Sequence, residues 1–341
     1  MKFRIPDYYD DFQCLARKCR DNCCVGWEIE VDEETAAYYE TLNTAFSVIV
    51  RKYTEGGYIH MKPSGRCPFL NGNNLCDIIT RLGKENICQI CRDHPRFFSW
   101  YGRVKEGGLG LCCEAAARLI LSRDMNLIER EIDEDPFDPP YQDLLEMLED
   151  DRKILFKCLR ENEFPKAMRL ILDFADQRQS RFDVDKWNQV NIMSETVAIK
   201  PAHPDEIIQF FINLEPMSRD WRIHLQDYLF LFDKIDDIPK EDYTELRRVA
   251  EYFLYRYYLK TVDDIEDLCR VKAAVICTWL LSLVWRGRRI TRKKLSFEDK
   301  ALTAAALSKE IEYNLENLAT LYDATYELDC FSTEELKGLF I

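Results

Sequence analysis

Glycine and histidine are both scarce in this 341-residue chain, at 12 and 4 residues. Few glycines argue against folds that depend on many tight turns and on glycine-rich phosphate loops. The densest glycine stretch, Gly107-Gly108-Leu109-Gly110, is not followed by the residues that such a loop requires. No serine sits in a nucleophile elbow. No apolar run approaches the roughly 20 residues that span a bilayer. The N-terminal stretch Met1-Lys2-Phe3-Arg4-Ile5-Pro6-Asp7-Tyr8-Tyr9-Asp10 has no apolar region of the secretory kind. The expectation is a cytoplasmic protein with no membrane partner. In that compartment thiols stay reduced, and clustered cysteines bind metal or react rather than pair as disulfides. A basic surface is missing as well. Residues 1–125 hold 17 basic and 17 acidic side chains, whereas residues 126–341 hold 30 and 44 and so carry the whole net charge of -14. Such a balance repels nucleic acid, whose phosphates demand a basic surface. It would attract a lysine-rich protein surface.

What is present is enough apolar material for a packed protein, 47% of residues, and a length that suggests two domains. The acidic, proline-rich stretch Asp133-Glu134-Asp135-Pro136-Phe137-Asp138-Pro139-Pro140 breaks helices and marks the boundary. The expected fold is mainly α. A cysteine-rich metal-binding domain with minor β covers 1–130, and an all-helical domain, suited to binding substrate or partner, covers 141–341. In the first domain, residues 7–26 read as loop and 26–31 as a short strand. A helix capped at Asp32 runs to about Tyr53, and Gly56-Gly57 ends it. Tyr58 to Lys62 pairs with Trp100 to Val104. The turn Asn71-Gly72-Asn73-Asn74 has hairpin chemistry and brings Cys67 and Cys76 together. A helix from about Lys84 sets Cys88 and Cys91 on one face and stops at Pro95, and another runs from about Cys112 to Ser122. In the second domain helices are expected at 140–161, 163–180, 204–214, 219–234, 239–260, 263–286, 297–323 and 332–339. A long connection falls at 181–203. The aromatic run Tyr252, Phe253, Tyr255, Tyr257 and Tyr258 reads as core packing.

Ten of the 14 cysteines lie within residues 1–113. They form the groups Cys14-x4-Cys19-x3-Cys23-Cys24, Cys67-x8-Cys76, Cys88-x2-Cys91 and Cys112-Cys113. Cys158, Cys269, Cys277 and Cys330 are scattered and read as small buried hydrophobes. Thiolates suit zinc and iron–sulfur clusters, and separated cysteine groups can converge on one site. Adjacent Cys23 and Cys24 fit poorly on one tetrahedral zinc, which favours an iron–sulfur cluster and leaves zinc as the alternative. His94 follows Cys91 by three and reads as a polar surface histidine, with a ligand role as the other choice. His60, His203 and His224 have no motif around them.

These motifs resemble the flagellin lysine-N-methylase family, a branch of a wider group with a CxxCxxCC-type iron- or zinc-chelating domain. The resemblance rests on Cys14, Cys19, Cys23-Cys24-Val25-Gly26-Trp27, Cys67-Pro68-Phe69-Leu70, Leu75-Cys76-Asp77-Ile78, Cys91-Arg92-Asp93-His94-Pro95-Arg96 and Cys113-Glu114-Ala115-Ala116-Ala117-Arg118-Leu119. It covers residues 8–122. Position by position it implies metal ligation by Cys14, Cys19, Cys23, Cys24, Cys67, Cys76, Cys91 and Cys113, with Cys88 and Cys112 ranked lower. Glu114 departs from the family's usual proline. The resemblance further implies S-adenosylmethionine-dependent methylation of lysine on flagellin or another lysine-bearing protein, with a 4Fe-4S cluster taking part. The familiar radical spacing Cys-x3-Cys-x2-Cys is absent, because Gly26 stands where its third cysteine would be. Lysine methylation needs a neutral amine. Tyr38, Tyr39, Glu28 and Asp93 are among the possible bases, and no catalytic or donor-binding residue is singled out. The alternative function, from another class, is a non-enzymatic zinc- or iron-binding interaction module.

Overall fold

The computed structural model describes residues 1–26, 29–138, 141–182, 190, 199–200, 202–292 and 294–341. The chain opens in strand β1 (Lys2–Pro6), and two short 3-10 turns interrupt the loop that follows. Helix α1 (Glu33–Thr41) starts where the Asp32 carboxylate accepts the Thr35 N–H at 3.0 Å. Acid in its first turn suits the positive end of the helix dipole. The single helix expected up to Tyr53 is two. Leu42 adopts an extended backbone, and Thr44 forms a capping box with Ser47 that opens α2 (Ala45–Thr54). The Asn71–Asn74 turn folds the chain back, with Leu70 bridged to Cys76. Helices α3 (Asp77–Leu82) and α4 (Gln89–Asp93) follow.

The sheet differs from expectation. Tyr58 bridges Glu30, not the Trp100 region. Trp100 lies in β2 (Arg96–Tyr101), a hairpin partner of β3 (Val104–Leu109) across Gly102-Arg103. The Gly107–Leu109 stretch is therefore strand, and α5 (Glu114–Ser122) begins after Cys113. Glycine at 108 has a packing reason, since a Cβ there would collide with the Phe97 ring. Strand β4 (Leu127–Glu131) completes the order β2-β3-β1-β4, with β1 parallel to β3 and antiparallel to β4.

Then come α6 (Gln142–Glu161), α7 (Phe164–Phe182), α8 (Pro204–Asn213), α9 (Arg219–Phe230), α10 (Tyr243–Tyr257), α11 (Thr261–Asp264), α12 (Asp267–Arg292), α13 (Phe297–Glu312), α14 (Leu315–Glu327) and α15 (Thr333–Gly338). The helix expected at 297–323 is broken in two, with Asn314 capping α14. Most of the expected 181–203 connection lies outside the described residues. Leu144, Leu145, Leu148, Leu155, Phe156 and Leu159 form the buried stripe of α6, at the spacing of one helix face. Helix α12 corrects the hydropathy reading. Asp267–Thr291 is long and apolar enough to cross a membrane, and its most apolar 18 residues are all buried in the protein. It packs against α7, α10, α13 and α14 as the central core helix.

Two apolar cores result. One holds Ile29, Val31, Tyr39, Phe46, Val50, Ile59, Cys67, Phe69, Leu70, Ile78 and Cys88. The other belongs to the helices and also takes in Ile5, Tyr8, Leu109, Ala116 and Ile120. The sheet and α5 thus pack with the helical half, and residues 132–138 lead out of β4 toward α6. Charge is buried at this junction only in pairs. Arg152 on α6 donates to Glu106 of β3 at 2.8 and 2.5 Å, and Arg4 of β1 reaches the same carboxylate at 3.1 Å. Removing one partner of a buried pair strands the other charge, at a cost of about 3–5 kcal/mol. Arg152→Met leaves Glu106 with Arg4 alone, so it is expected to lower unfolding stability in denaturant titrations by somewhat less than the cost of a fully stranded charge, about 3–5 kcal/mol. The double variant Glu106→Leu with Arg152→Met should recover much of that loss, and a double variant as unstable as the single one would refute the pairing argument.

Candidate metal centre and its adjoining cleft

Cys113, just ahead of α5, supplies one thiol, and three further segments, each held by identifiable bonds, deliver the rest. The first is the loop from Cys14 to Cys24. Arg20 in that loop donates its backbone N–H and its Nε to Glu114 at 2.8 and 3.0 Å. Its guanidinium reaches Asp299 and the Glu298 carbonyl, and Lys309 bonds Asp21 at 2.8 Å. The loop is thereby tied to α5 and α13. Glu114, the departure from the family's proline, is the fully buried acceptor that makes this possible, and it also pairs with Arg118 at 2.7 Å. The second segment is the Cys67–Cys76 hairpin, whose Cys67 N–H donates to the Cys24 carbonyl at 2.8 Å. The third places Cys88 just before α4 and Cys91 within it, with their sulfurs 3.4 Å apart.

All eight cysteines singled out from the sequence lie in one electrostatic neighbourhood. Cys24 feels Cys67 and Cys76, and Cys91 feels Cys88, Cys24 and Cys23. Cys14 and Cys19 each feel Cys23 and Cys113. Two residues ranked low in the sequence join them. Cys88 is buried against Cys91. His94, read as a surface histidine, sits largely buried between Cys113 and Cys23. Burial opposes its protonation, but hydrogen bonds to Cys113 and Cys23 outweigh that and lift its pKa to about 9. The signal that could have found both residues was their spacing, Cys88-x2-Cys91-x2-His94. Cys112 turns elsewhere, buried and hydrogen-bonded with the Tyr313 hydroxyl. Cys158, Cys269, Cys277 and Cys330 are all buried away in the helical half.

The thiols share protons in pairs. A hydrogen bond from Cys24 holds Cys23 down to about 4 and pushes Cys24 up. In the same way Cys88 is lowered by Cys91, which rises. Among the described residues, no three His, Cys, Asp or Glu side chains already stand as a metal-ligand set. The donor chemistry nevertheless fits a thiophilic centre. It is soft and sulfur-rich, and mostly partly buried, and a metal there would replace the shared protons.

A cavity of about 650 Å³ adjoins this centre. Ile90, Asp93 and His94 form the wall nearest the cysteines, β2 contributes Arg96, Phe97, Phe98 and Trp100, and the helical half contributes Arg256, Glu312, Tyr313 and Leu315. Glu30, Asp32 and Gln89 complete it. Tyr252 and Tyr257 donate to Glu312 at 2.9 and 2.8 Å, and Arg256 pairs with it at 3.1 Å, so this buried carboxylate is well satisfied. Of the bases considered from the sequence, Asp93 lines the cavity. Tyr39 is buried with its hydroxyl donating to the Asn86 carbonyl at 2.8 Å, and Tyr38 packs at the same core. Glu28 lies outside the described residues.

Comparison with known proteins gives sequence relatives only. Lysine-N-methylases of Salmonella choleraesuis and Salmonella typhimurium are 29% and 30% identical over 159 residues, which is 42% of this chain and 40% of each relative. The flagellar biosynthetic protein FliU of Salmonella muenchen is 29% identical over 127 residues, 34% of this chain and 75% of its own length. The chain thus spans about two fifths of the length of the methylases it matches. No family model and no solved structure matches it.

The position of Cys88 yields a direct test. Cys88→Ser is expected to reduce the metal content of anaerobically purified protein as far as Cys91→Ser does, whereas Cys158→Ser leaves it unchanged. Wild-type metal content in the Cys88 variant would remove that residue from the donor set.

Proposed function

We propose that this chain, which is similar to lysine-N-methylases over 42% of its length, methylates lysine side chains of flagellin or another lysine-bearing protein. The methyl donor in this reading is S-adenosylmethionine. The thiols of the N-terminal region would hold an iron–sulfur cluster, which when bound would supply electron-transfer and sulfur-ligated iron chemistry. Its four thiolate ligands would be drawn from Cys14, Cys19, Cys23, Cys24, Cys67, Cys76, Cys88, Cys91 and Cys113, with His94 hydrogen-bonded to Cys23 and Cys113.

The observation that carries the reading is the cleft against that centre. Its walls do two things a lysine methylase needs. Glu30, Asp32 and Asp93 present negative charge toward an arriving ammonium group. Phe97, Phe98, Ile90 and Tyr313 offer apolar surface in the same cleft, and desolvation against it favours the neutral amine that can act as a nucleophile. The two effects oppose each other, so attraction serves the approach and deprotonation belongs against the apolar wall. Asp93 lines this cleft with His94 and is our candidate to accept the proton. The excess of acid in residues 126–341 adds long-range attraction for a lysine-bearing partner. Salt screens such attraction over about 10 Å at 0.1 M.

Anaerobic purification should yield iron and acid-labile sulfide in similar amounts. With S-adenosylmethionine, a reductant and the host's flagellin, peptide mass spectrometry should then find lysines heavier by whole methyl groups. Cys91→Ser should abolish the transfer and Cys158→Ser should not. Zinc without sulfide would rule out the cluster, and unmethylated flagellin with cluster and donor both bound would rule out the activity.

A further inference from the structure

Strand β2 ends the sheet, with β3 on one side. The phase of its hydrogen bonds can be worked out. The Gly110 N–H donates to the Pro95 carbonyl at 2.6 Å, and that pair continues the register Arg96↔Leu109, Phe97↔Gly108. Antiparallel ladders alternate between bonded and non-bonded pairs. Phe97, Ser99 and Tyr101 therefore turn their N–H and C=O groups toward β3, and those of Arg96, Phe98 and Trp100 point away from the sheet. The hairpin gives the same phase, because a two-residue turn closes on a bonded pair, here Tyr101↔Val104. Among the described residues, no backbone group bonds the outward N–H or C=O of Arg96, Phe98 or Trp100.

The cleft lies along this open edge. It is lined by Phe97 from one face of β2 and by Arg96, Phe98 and Trp100 from the other. A cavity that touches both faces of a strand runs past its edge. It also includes His94, just ahead of the strand, where the sulfurs of Cys23 and Cys113 lie behind the imidazole. An open row of main-chain donors and acceptors thus leads along the strand to the thiol centre. Long unprotected edges invite unwanted pairing, and proteins usually cover or charge them.

We infer that this edge binds the substrate: an extended, lysine-bearing segment adds to β2 as a further strand and directs its lysine toward His94. The inference rests on the proposed lysine methylation and specifies how its substrate is held. Strand addition draws affinity from main-chain hydrogen bonds and specificity from alternate side chains. Here Arg96, Phe98 and Trp100 supply the main-chain groups. Charge chooses the side chain. The outer ring faces on β2 already hold an internal cation, since Lys105 Nζ lies 4.8 Å from the Trp100 centroid and 5.1 Å from that of Phe98. Glu312 is neutralised by Arg256, and Asp32 is committed to the Thr35 and Gln89 N–H groups. Exposed Glu30 remains to meet an incoming ammonium, and the partly exposed Asp93, which accepts from the Gln89 side chain at 2.6 Å, adds to the negative charge of the cleft.

Proline at an outward edge position removes one N–H and leaves the ladder to β3 intact. Trp100→Pro and Trp100→Ala both lose the ring, but only the first loses the donor. The probe is the fluorescein-labelled peptide acetyl-Thr-Val-Thr-Lys-Thr-Val-Thr-amide, titrated into cluster-loaded protein without S-adenosylmethionine, with a norleucine peptide as the comparison. Trp100→Pro should bind at least about tenfold more weakly than Trp100→Ala, a difference of one main-chain contact and its neighbours. The norleucine peptide should bind more weakly than the lysine one to the wild type. In hydrogen exchange on the unaltered protein, the peptide should slow the Phe98 and Trp100 amides and leave those of Ser99 and Tyr101 as they were. Equal affinities of the two variants, or slowing of these amides by S-adenosylmethionine alone, would overturn strand addition. Methyl transfer with the Phe98 and Trp100 amides unprotected would overturn it too and leave methylation standing. Peptide binding with the expected protection but no transfer would do the reverse.

Discussion

Thiols crowded together, most of them partly buried, cannot all ionise side by side without strong mutual repulsion. The N-terminal region is arranged around that conflict. Its own apolar core is thin, and two of its buried members, Cys67 and Cys88, are themselves thiols. The sulfurs resolve the conflict locally by sharing protons, Cys23 with Cys24 and Cys88 with Cys91. His94 adds positive charge between Cys23 and Cys113. A bound metal would satisfy the same electrostatic demand more fully, and its binding free energy would then act as folding free energy for this region. The bonds that fix the loop from Cys14 to Cys24 have the same purpose. Arg20 and Lys309 hold it to α5 and α13, elements whose stability comes from the other core.

That dependence explains why the second half is built so rigidly where it meets the first. Helix α12 is buried along its whole apolar length, and α10 packs on it with a row of aromatic rings. The tyrosines of that row pack and also bond. Tyr252 accepts the Leu111 N–H at 3.0 Å, and Tyr255 donates to the Gly107 carbonyl at 2.9 Å. Helix α10 thus grips β3 and the turn leading to Cys112-Cys113 by their backbones. Ring burial and hydroxyl bonding act together at this seam, which sets the back wall of the cleft relative to the thiols.

Much of this was legible in the sequence. The 3.6-residue spacing of apolar positions located α6, α7, α8 and α12 within a few residues at most ends, and Asp32 and the Asn71–Asn74 turn announced themselves through capping and turn chemistry. The grouping of the cysteines pointed to a thiol-rich N-terminal region, and the resemblance supplied the set of eight. What was hidden depended on tertiary pairing. Strands β1 and β4 are five residues each, too short for periodicity to stand out, and their partners are far away in the chain. The break at Leu42 rests on a capping box that competes with continuing the helix. His94 looked like surface because its neighbours Asp93 and Arg96 are polar, yet packing turns it inward. Cys88 was ranked by resemblance, and a comparison of motifs does not report a sulfur contact.

Position, more than any single residue, gives the cleft its character. It lies where the thin cysteine-bearing core, the edge of the sheet and the end of α13 come together, so its walls belong to units stabilised in different ways. Shifting the Cys14–Cys24 loop relative to β2 would require breaking Arg20 from Glu114, a fully buried carboxylate whose other cation among the described residues is Arg118. The distance from an edge-bound backbone to the sulfurs is therefore set by the fold and not by a mobile loop. An extended strand repeats about every 3.4 Å, so only one side chain at a time can stand opposite His94. A site of this kind selects among lysines by whether the chain around them can become extended, and folded helical lysines would be excluded whatever their charge.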